Sequence, residues 1–257
     1  MNDQNAIPPQ IPPQFIPPSL PERRLLGDDP AERVPIPHVF TAIEALLRQP
    51  RRLLFQLRQP GAGKLIVAMV FVAIFCSLIY GVVAGTFSGG MQLWAAPVKI
   101  AGGLLISAAI CLPSLYIFAC LSGSQARLAE ICGLLAGLMM LMTILLVGFA
   151  PVAWIFSQST ESPASMGALH LLFWLVATVF AMRFIKHGFS HTNARSQAGL
   201  NVWIIIFLLV AVQMTTALRP IIGKSDTFFP AQKQFFIGHW FDCLNQPPED
   251  SKISSHH

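Results

Sequence analysis

Charge is what this chain lacks. Only 11% of its 257 residues are charged, where soluble domains carry about 25%. Aspartate is missing altogether between residues 65 and 218. That stretch offers no pair of buried carboxylates for hydrolytic or proton-relay chemistry. Cysteine pairs with metal-ligand or disulfide spacing are missing too. Cys76, Cys111, Cys120 and Cys132 fall within or beside apolar runs, where cysteine behaves as a small hydrophobe, and Cys243 stands alone near the C-terminus. Ser107, Ser114 and Ser122 have no histidine nearby in sequence to activate them. His187 and His191 are four apart, a helical metal-ligand spacing, but Gly188 interrupts them and no carboxylate or cysteine adjoins. A phosphate loop is also missing. Pro60-Gly61-Ala62-Gly63-Lys64 lacks the earlier glycine, and Leu65 stands where a magnesium-binding hydroxyl belongs. These gaps point to a non-enzyme with no cofactor and no metal.

What is present is apolar. Hydrophobic residues make up 54% of the chain and mean hydropathy is +0.59. The apolar runs concentrate in residues 65–218, so lipid is the solvent they imply. The expected fold is an all-α polytopic transmembrane helix bundle. Five spans are expected, at 65–86, 97–120, 128–156, 167–185 and 200–218, since ~20 residues cross the hydrocarbon core. The third is long enough to bend near Pro151 or to leave the bilayer early. The chain thus divides into a proline-rich arm (1–38), a basic lead-in (39–64), the five-span bundle (65–218) and an outer tail (219–257).

The arm holds ten prolines and repeats a short motif, Ile7-Pro8-Pro9-Gln10, Ile11-Pro12-Pro13-Gln14 and Ile16-Pro17-Pro18-Ser19. Polyproline II follows from such a run. It serves either as a solvated spacer or, through Pro9-x-x-Pro12 and Pro18-x-x-Pro21, as a ligand for an aromatic groove. The arm is no signal peptide, so the first span is expected to act as the targeting signal.

Two short helices broken at Pro50 are expected in the lead-in. Thr41 and Glu44 have capping-box spacing for the first, and Pro50 suits the first turn of the second. Phe40, Ile43, Leu46 and Leu47 share a face, as do Leu53, Leu54 and Leu57, with Arg51, Arg52 and Arg58 opposite. Two readings fit: helices in the headgroup layer, or helices packed on a partner subunit. Net charge is +5 and the basic residues cluster here, beside the first apolar run, which favours membrane lipids over nucleic acid as their complement. At the other end Phe236, Ile237, Trp240, Phe241 and Leu244 recur at helical spacing. They predict a second interfacial helix.

Orientation follows Lys and Arg near the span ends. Arg48, Arg51, Arg52, Arg58, Lys64, Arg127, Arg183, Lys186 and Arg195 lie on one side; Lys99, Arg219, Lys224 and Lys233 lie on the other. That balance places the N-terminus in the cytoplasm and, with five spans, the C-terminus outside. A bacterial inner membrane is the expected location.

Small residues mark helix packing: Gly81 with Gly85 in the first span, Gly133 with Gly137 in the third. They serve packing within the bundle or a homo-oligomer. Gln213 and Arg219, at the exit of the fifth span, are the candidate binding residues. Gln213 needs a hydrogen-bond partner, and Arg219 can snorkel, bind a lipid phosphate or pair with Glu161. His170, near the outer end of the fourth span, reads as a packed residue, because the nearest intramembrane acid, Glu130, lies at the opposite edge.

The layout resembles the Yip family of small Rab-interacting membrane proteins and its uncharacterised bacterial relatives. The likeness runs over about 40–223. It is carried by Ala45-Leu46-Leu47-Arg48-Gln49-Pro50, Leu112-Pro113-Ser114-Leu115-Tyr116, Leu121-Ser122-Gly123, Phe149-Ala150-Pro151 and Leu218-Arg219-Pro220-Ile221-Ile222-Gly223. It implies a polar cytoplasmic arm, five closely spaced spans and a trafficking-type role through protein partners. The family's acidic cytoplasmic motif is not evident, so no functional residue transfers. In a bacterium, Rab partners do not apply. The expectation is a scaffold, assembly or trafficking-type subunit that meets its partners through residues 1–59. The alternative is a small transporter or channel-forming oligomer, which a polar stripe through the spans would signal.

Overall fold

A computed structural model describes residues 25–88, 90, 92–160, 163–192 and 196–217. Eight helices occur among them: α1 (Pro30–Arg33), α2 (Val39–Arg48), α3 (Pro50–Leu57), α4 (Gly63–Ser88), α5 (Gln92–Leu121), α6 (Leu128–Ser159), α7 (Pro163–Ser190) and α8 (Ala198–Ala217). The candidate residue Arg219 and the aromatic tail helix lie outside the described residues, as does the proline repeat.

Four helices, α4 to α7, are long and apolar enough to cross a membrane. They run 26 to 32 residues, or about 39 to 48 Å at ~1.5 Å per residue, against a hydrocarbon core of ~30 Å. Their ends therefore extend past the apolar slab. α8 is apolar but shorter, with 20 residues.

The core is built around α6. In its most apolar window 72% of residues are buried, against 33–39% in α4, α5 and α7. Such all-round burial marks a central helix. α4 packs against both α5 and α6, α7 covers α6, and α8 covers α5. Pro97, Pro113 and Pro151 all sit inside helices. The span that begins at Pro97 by sequence thus extends back to Gln92, and α6 passes Pro151 unbroken to Ser159. Membrane helices tolerate proline because neighbours and hydroxyl groups take up the freed backbone.

Glycine sets two boundaries. α5 ends in a Schellman turn at Gly123, whose φ is +73°. The amide of Ser124 donates to the Ala119 carbonyl at 3.0 Å and that of Gly123 to Cys120 at 2.9 Å. Gly81 lies where α4 meets the backbone of α5, and a Cβ there would collide with Cα of Pro97.

The lead-in departs from expectation in three ways. α2 starts at Val39 with His38 as its cap, so Thr41 and Glu44 lie inside the helix and form no capping box. Pro50 does open α3. The leucine face of α3 covers no headgroups: Leu53, Leu54 and Leu57 are at most 5% exposed and pack on the ends of α6 and α7. Finally, residues 25–38, assigned by sequence to the arm, include α1, which packs on α3.

Candidate functional site

The densest polar cluster among the described residues joins α1–α3 to the bundle. It forms an N-terminal cap at the end where α4 begins. Its first link is Arg51. Nε donates to Oε1 of Glu32, and Nη2 donates to the Leu25 carbonyl at 3.0 Å. Glu32 also accepts the Gly27 amide at 2.6 Å. Burial opposes ionisation of Glu32. The hydrogen bonds from Arg51 and Gly27, with the guanidinium charge, prevail and hold its carboxyl below the usual value. Arg52 reaches the carbonyls of Val34 (3.0 Å) and Pro35 (2.8 Å). These carbonyls follow α1, and that of Val34 also accepts from the Gln56 amide at 3.2 Å.

The second link is Arg58. Its Nε lies 3.6 Å from Oε2 of Glu130 on α6, and Nη2 donates to the carbonyl of His191, just after α7. One side chain thus ties the end of α3 to two bundle helices. Arg51, Arg52 and Arg58 read from sequence as cations for lipid headgroups. The structure shows all three engaged with the chain itself.

His191 sits beside this link, its ring perpendicular to that of His187 with centroids 5.0 Å apart. Its Nε2 is buried without a hydrogen bond. Burial, then the neighbouring His187, Arg51 and Arg58, push its pKa down to about 4. The cleft lined by Arg58, Glu130, Gly188 and His191 measures about 10 Å³, the lower limit for a single water. Among the described residues no three His, Cys, Asp or Glu side chains gather to hold a metal.

A second polar site lies within the bundle. The hydroxyl of Tyr80 on α4 and Nδ1 of His170 on α7 are 2.6 Å apart. Tyr80 is fully buried and His170 is 5% exposed. Nε2 of His170 has no partner. Lys99 on α5 is buried as well, so it is no loop charge and drops out of the orientation count. Tyr80 did not stand out in the sequence, and Lys99 did so only as a charge near a span end. A polar residue isolated in an apolar run gives no sign of which helix it faces. The buried hydroxyls of Ser107 and Thr143 bond back to carbonyls of their own helices at 2.7 and 3.0 Å. Their hydrogen-bonding capacity is met locally.

The candidate residues from sequence are scattered. Gln213 is exposed near the end of α8. Gly133 faces Leu57 of α3, where an added Cβ would come within 2.6 Å of the leucine side chain. Gly137 faces Phe184 of α7, with the equivalent approach at 2.7 Å. Gly85 is buried in α4. The glycine pair in α6 therefore serves two different neighbours.

The fold and these contacts define a class: an all-helical bundle of integral-membrane type, closed at one end by its own N-terminal helices. Comparison with protein-family models, curated proteins and solved structures gives no match to this chain.

Proposed function

We propose that the chain is a non-catalytic membrane subunit, a scaffold or assembly protein acting through protein partners. In this reading α8 is a fifth span, the N-terminus is cytoplasmic, the C-terminus is outside, and the membrane is a bacterial inner membrane. The Yip-like layout fits the same role. One observation carries the reading: the docked cap. Three helices and three arginines fix the segment that follows the proline repeat. The chain is therefore held at a fixed point on the bundle from Leu25 onward, which supports reading the proline repeat before it as a recognition segment. Because α1 belongs to the cap, the clean test removes residues 1–24 only. Crosslinking in native membranes followed by affinity capture should then lose the co-captured partners while insertion stays intact. Unchanged partners would reject the arm as the contact.

One observation favours the transporter alternative. Tyr80 and His170 form a buried polar pair between helices of span length, and intramembrane polar groups commonly mark transport paths. Solute or ion flux in proteoliposomes, abolished by both Tyr80→Phe and His170→Gln, would replace the scaffold reading.

A further inference from the structure

Among the described residues, the outer arc of α2 is left largely uncovered. With ~100° per residue and Phe40 at the origin, Leu47, Ile43 and Val39 follow within roughly 100° on one side. Leu46, Ala42 and Ala45 continue the apolar arc beyond them, to about 220° in all. Glu44, Arg48 and Thr41 fill the remaining sector. A helix with a single core contact needs an apolar stripe of roughly 100°, so α2 carries about two. The bundle takes one: Ala42, Ala45 and Leu46 are at most 3% exposed. The other is open at Phe40, Leu47 and Val39, which are 84%, 48% and 40% exposed, with Ile43 between them half-buried against the core.

We propose that this second arc inserts into the acyl-chain boundary of an anionic lipid leaflet, so that α2 is a wedge with one face on the bundle and the next in lipid. Its placement supports a membrane occupant. α2 packs against α4 and α6 at the end where α4 begins, the level at which these helices pass out of the apolar slab. Charge supports it too. Lys64 in the first turn of α4, Arg127 before α6 and Lys186 near the end of α7 are all exposed at this end. They form a cationic rim matched to anionic headgroups. The three arginines of the cap are not needed for it, since they are engaged internally. The polar sector of α2 then faces water, completing the three-way division of an interfacial helix. The inference rests on the membrane-spanning reading of the bundle.

The test uses the full chain in phosphatidylcholine–phosphatidylglycerol vesicles containing acyl-brominated lipid. Phe40→Trp alters an exposed site, and its added emission is taken as the difference from wild type. The exposed Trp94 and Trp154 of α5 and α6 report insertion of the bundle in the same sample. The expected result is a blue-shifted added emission that loses intensity to the brominated chains, since an interfacial helix buries its apolar face at the headgroup–acyl boundary. Added emission quenched by aqueous iodide and not by brominated lipid overturns the inference. So does added emission shielded from both, which would mean that protein covers the arc. If Trp94 and Trp154 also escape brominated lipid, the spanning reading itself has failed. Quenching no greater with phosphatidylglycerol than without it refutes the anionic preference.

Discussion

Arg58 and His191 show how little of the cap's chemistry sits in adjacent residues. A guanidinium from the end of α3 reaches a carboxylate on α6 and a carbonyl after α7. The imidazole beside it stays neutral because burial and nearby cations disfavour its charge. The sign of the pH dependence follows. A histidine whose folded pKa is about 4, against an ordinary 6.5, binds fewer protons folded than unfolded between those values. Its contribution to cap docking is complete above pH 6.5 and declines as pH falls toward 4. Glu32 adds a loss in the same direction, below its ordinary 4.5. Hydrogen exchange of the α3 amides should therefore accelerate on acidification from pH 6.5 to 4, relative to amides in the middle of α6. His191→Leu should remove the upper part of that dependence and leave the part from Glu32. An unchanged profile in His191→Leu would show that other groups govern docking.

Among elements, the α4–α5 contact is the least forgiving. Gly81 meets backbone, which cannot rotate aside, whereas Gly133 and Gly137 meet leucine and phenylalanine side chains that can. Gly81→Ala should cost about 1–3 kcal/mol through overpacking. Gly102→Ala and Gly148→Ala, with nothing within 4 Å of the new Cβ, should stay neutral or gain up to about 1 kcal/mol from helix propensity. Thermal unfolding in detergent separates them, and equal midpoints for Gly81→Ala and Gly102→Ala would reject the close approach. The small-residue spacing in α4 and α6 was visible in the sequence. Its partners were not, because a glycine on a helix face is equally suited to a span, a side chain or a second copy. The α5–α8 joint carries the same lesson. The indole of Trp203 donates to the Cys111 carbonyl at 2.9 Å, and nothing local to either residue signals the other. Leu200, Trp203 and Phe207 are buried at helical spacing, but the same spacing would serve contact with lipid.

For the whole molecule, the number of crossings sets the side on which each end lies. Among the described residues four helices meet the length and hydropathy of a span, and α8 is the fifth candidate. If α8 crosses, the chain's ends lie on opposite sides. A thiol reagent unable to cross the bilayer should then label Cys243 in spheroplasts, while Cys120, near the end of α5 on the N-terminal side, reacts only after the membrane is opened. Labelling of Cys243 only after opening would mean an even number of crossings or the reverse orientation.

Composition and periodicity alone determined that the chain is helical and apolar, and where its long helices lie. Burying ~20 consecutive uncharged residues leaves few alternatives, and backbone polar groups in lipid must bond within their own segment. The basic, leucine-rich lead-in was equally legible as two helices broken at Pro50. What its two faces touch was decided only by tertiary structure. A leucine stripe is satisfied alike by lipid, a partner or the chain's own bundle, because the hydrophobic effect has no direction. Arginine is satisfied alike by a phosphate, a carboxylate or a carbonyl. Packing assigned the leucines of α3 and the arginines of the cap to the interior contacts of one chain, and left Phe40 and Leu47 facing outward.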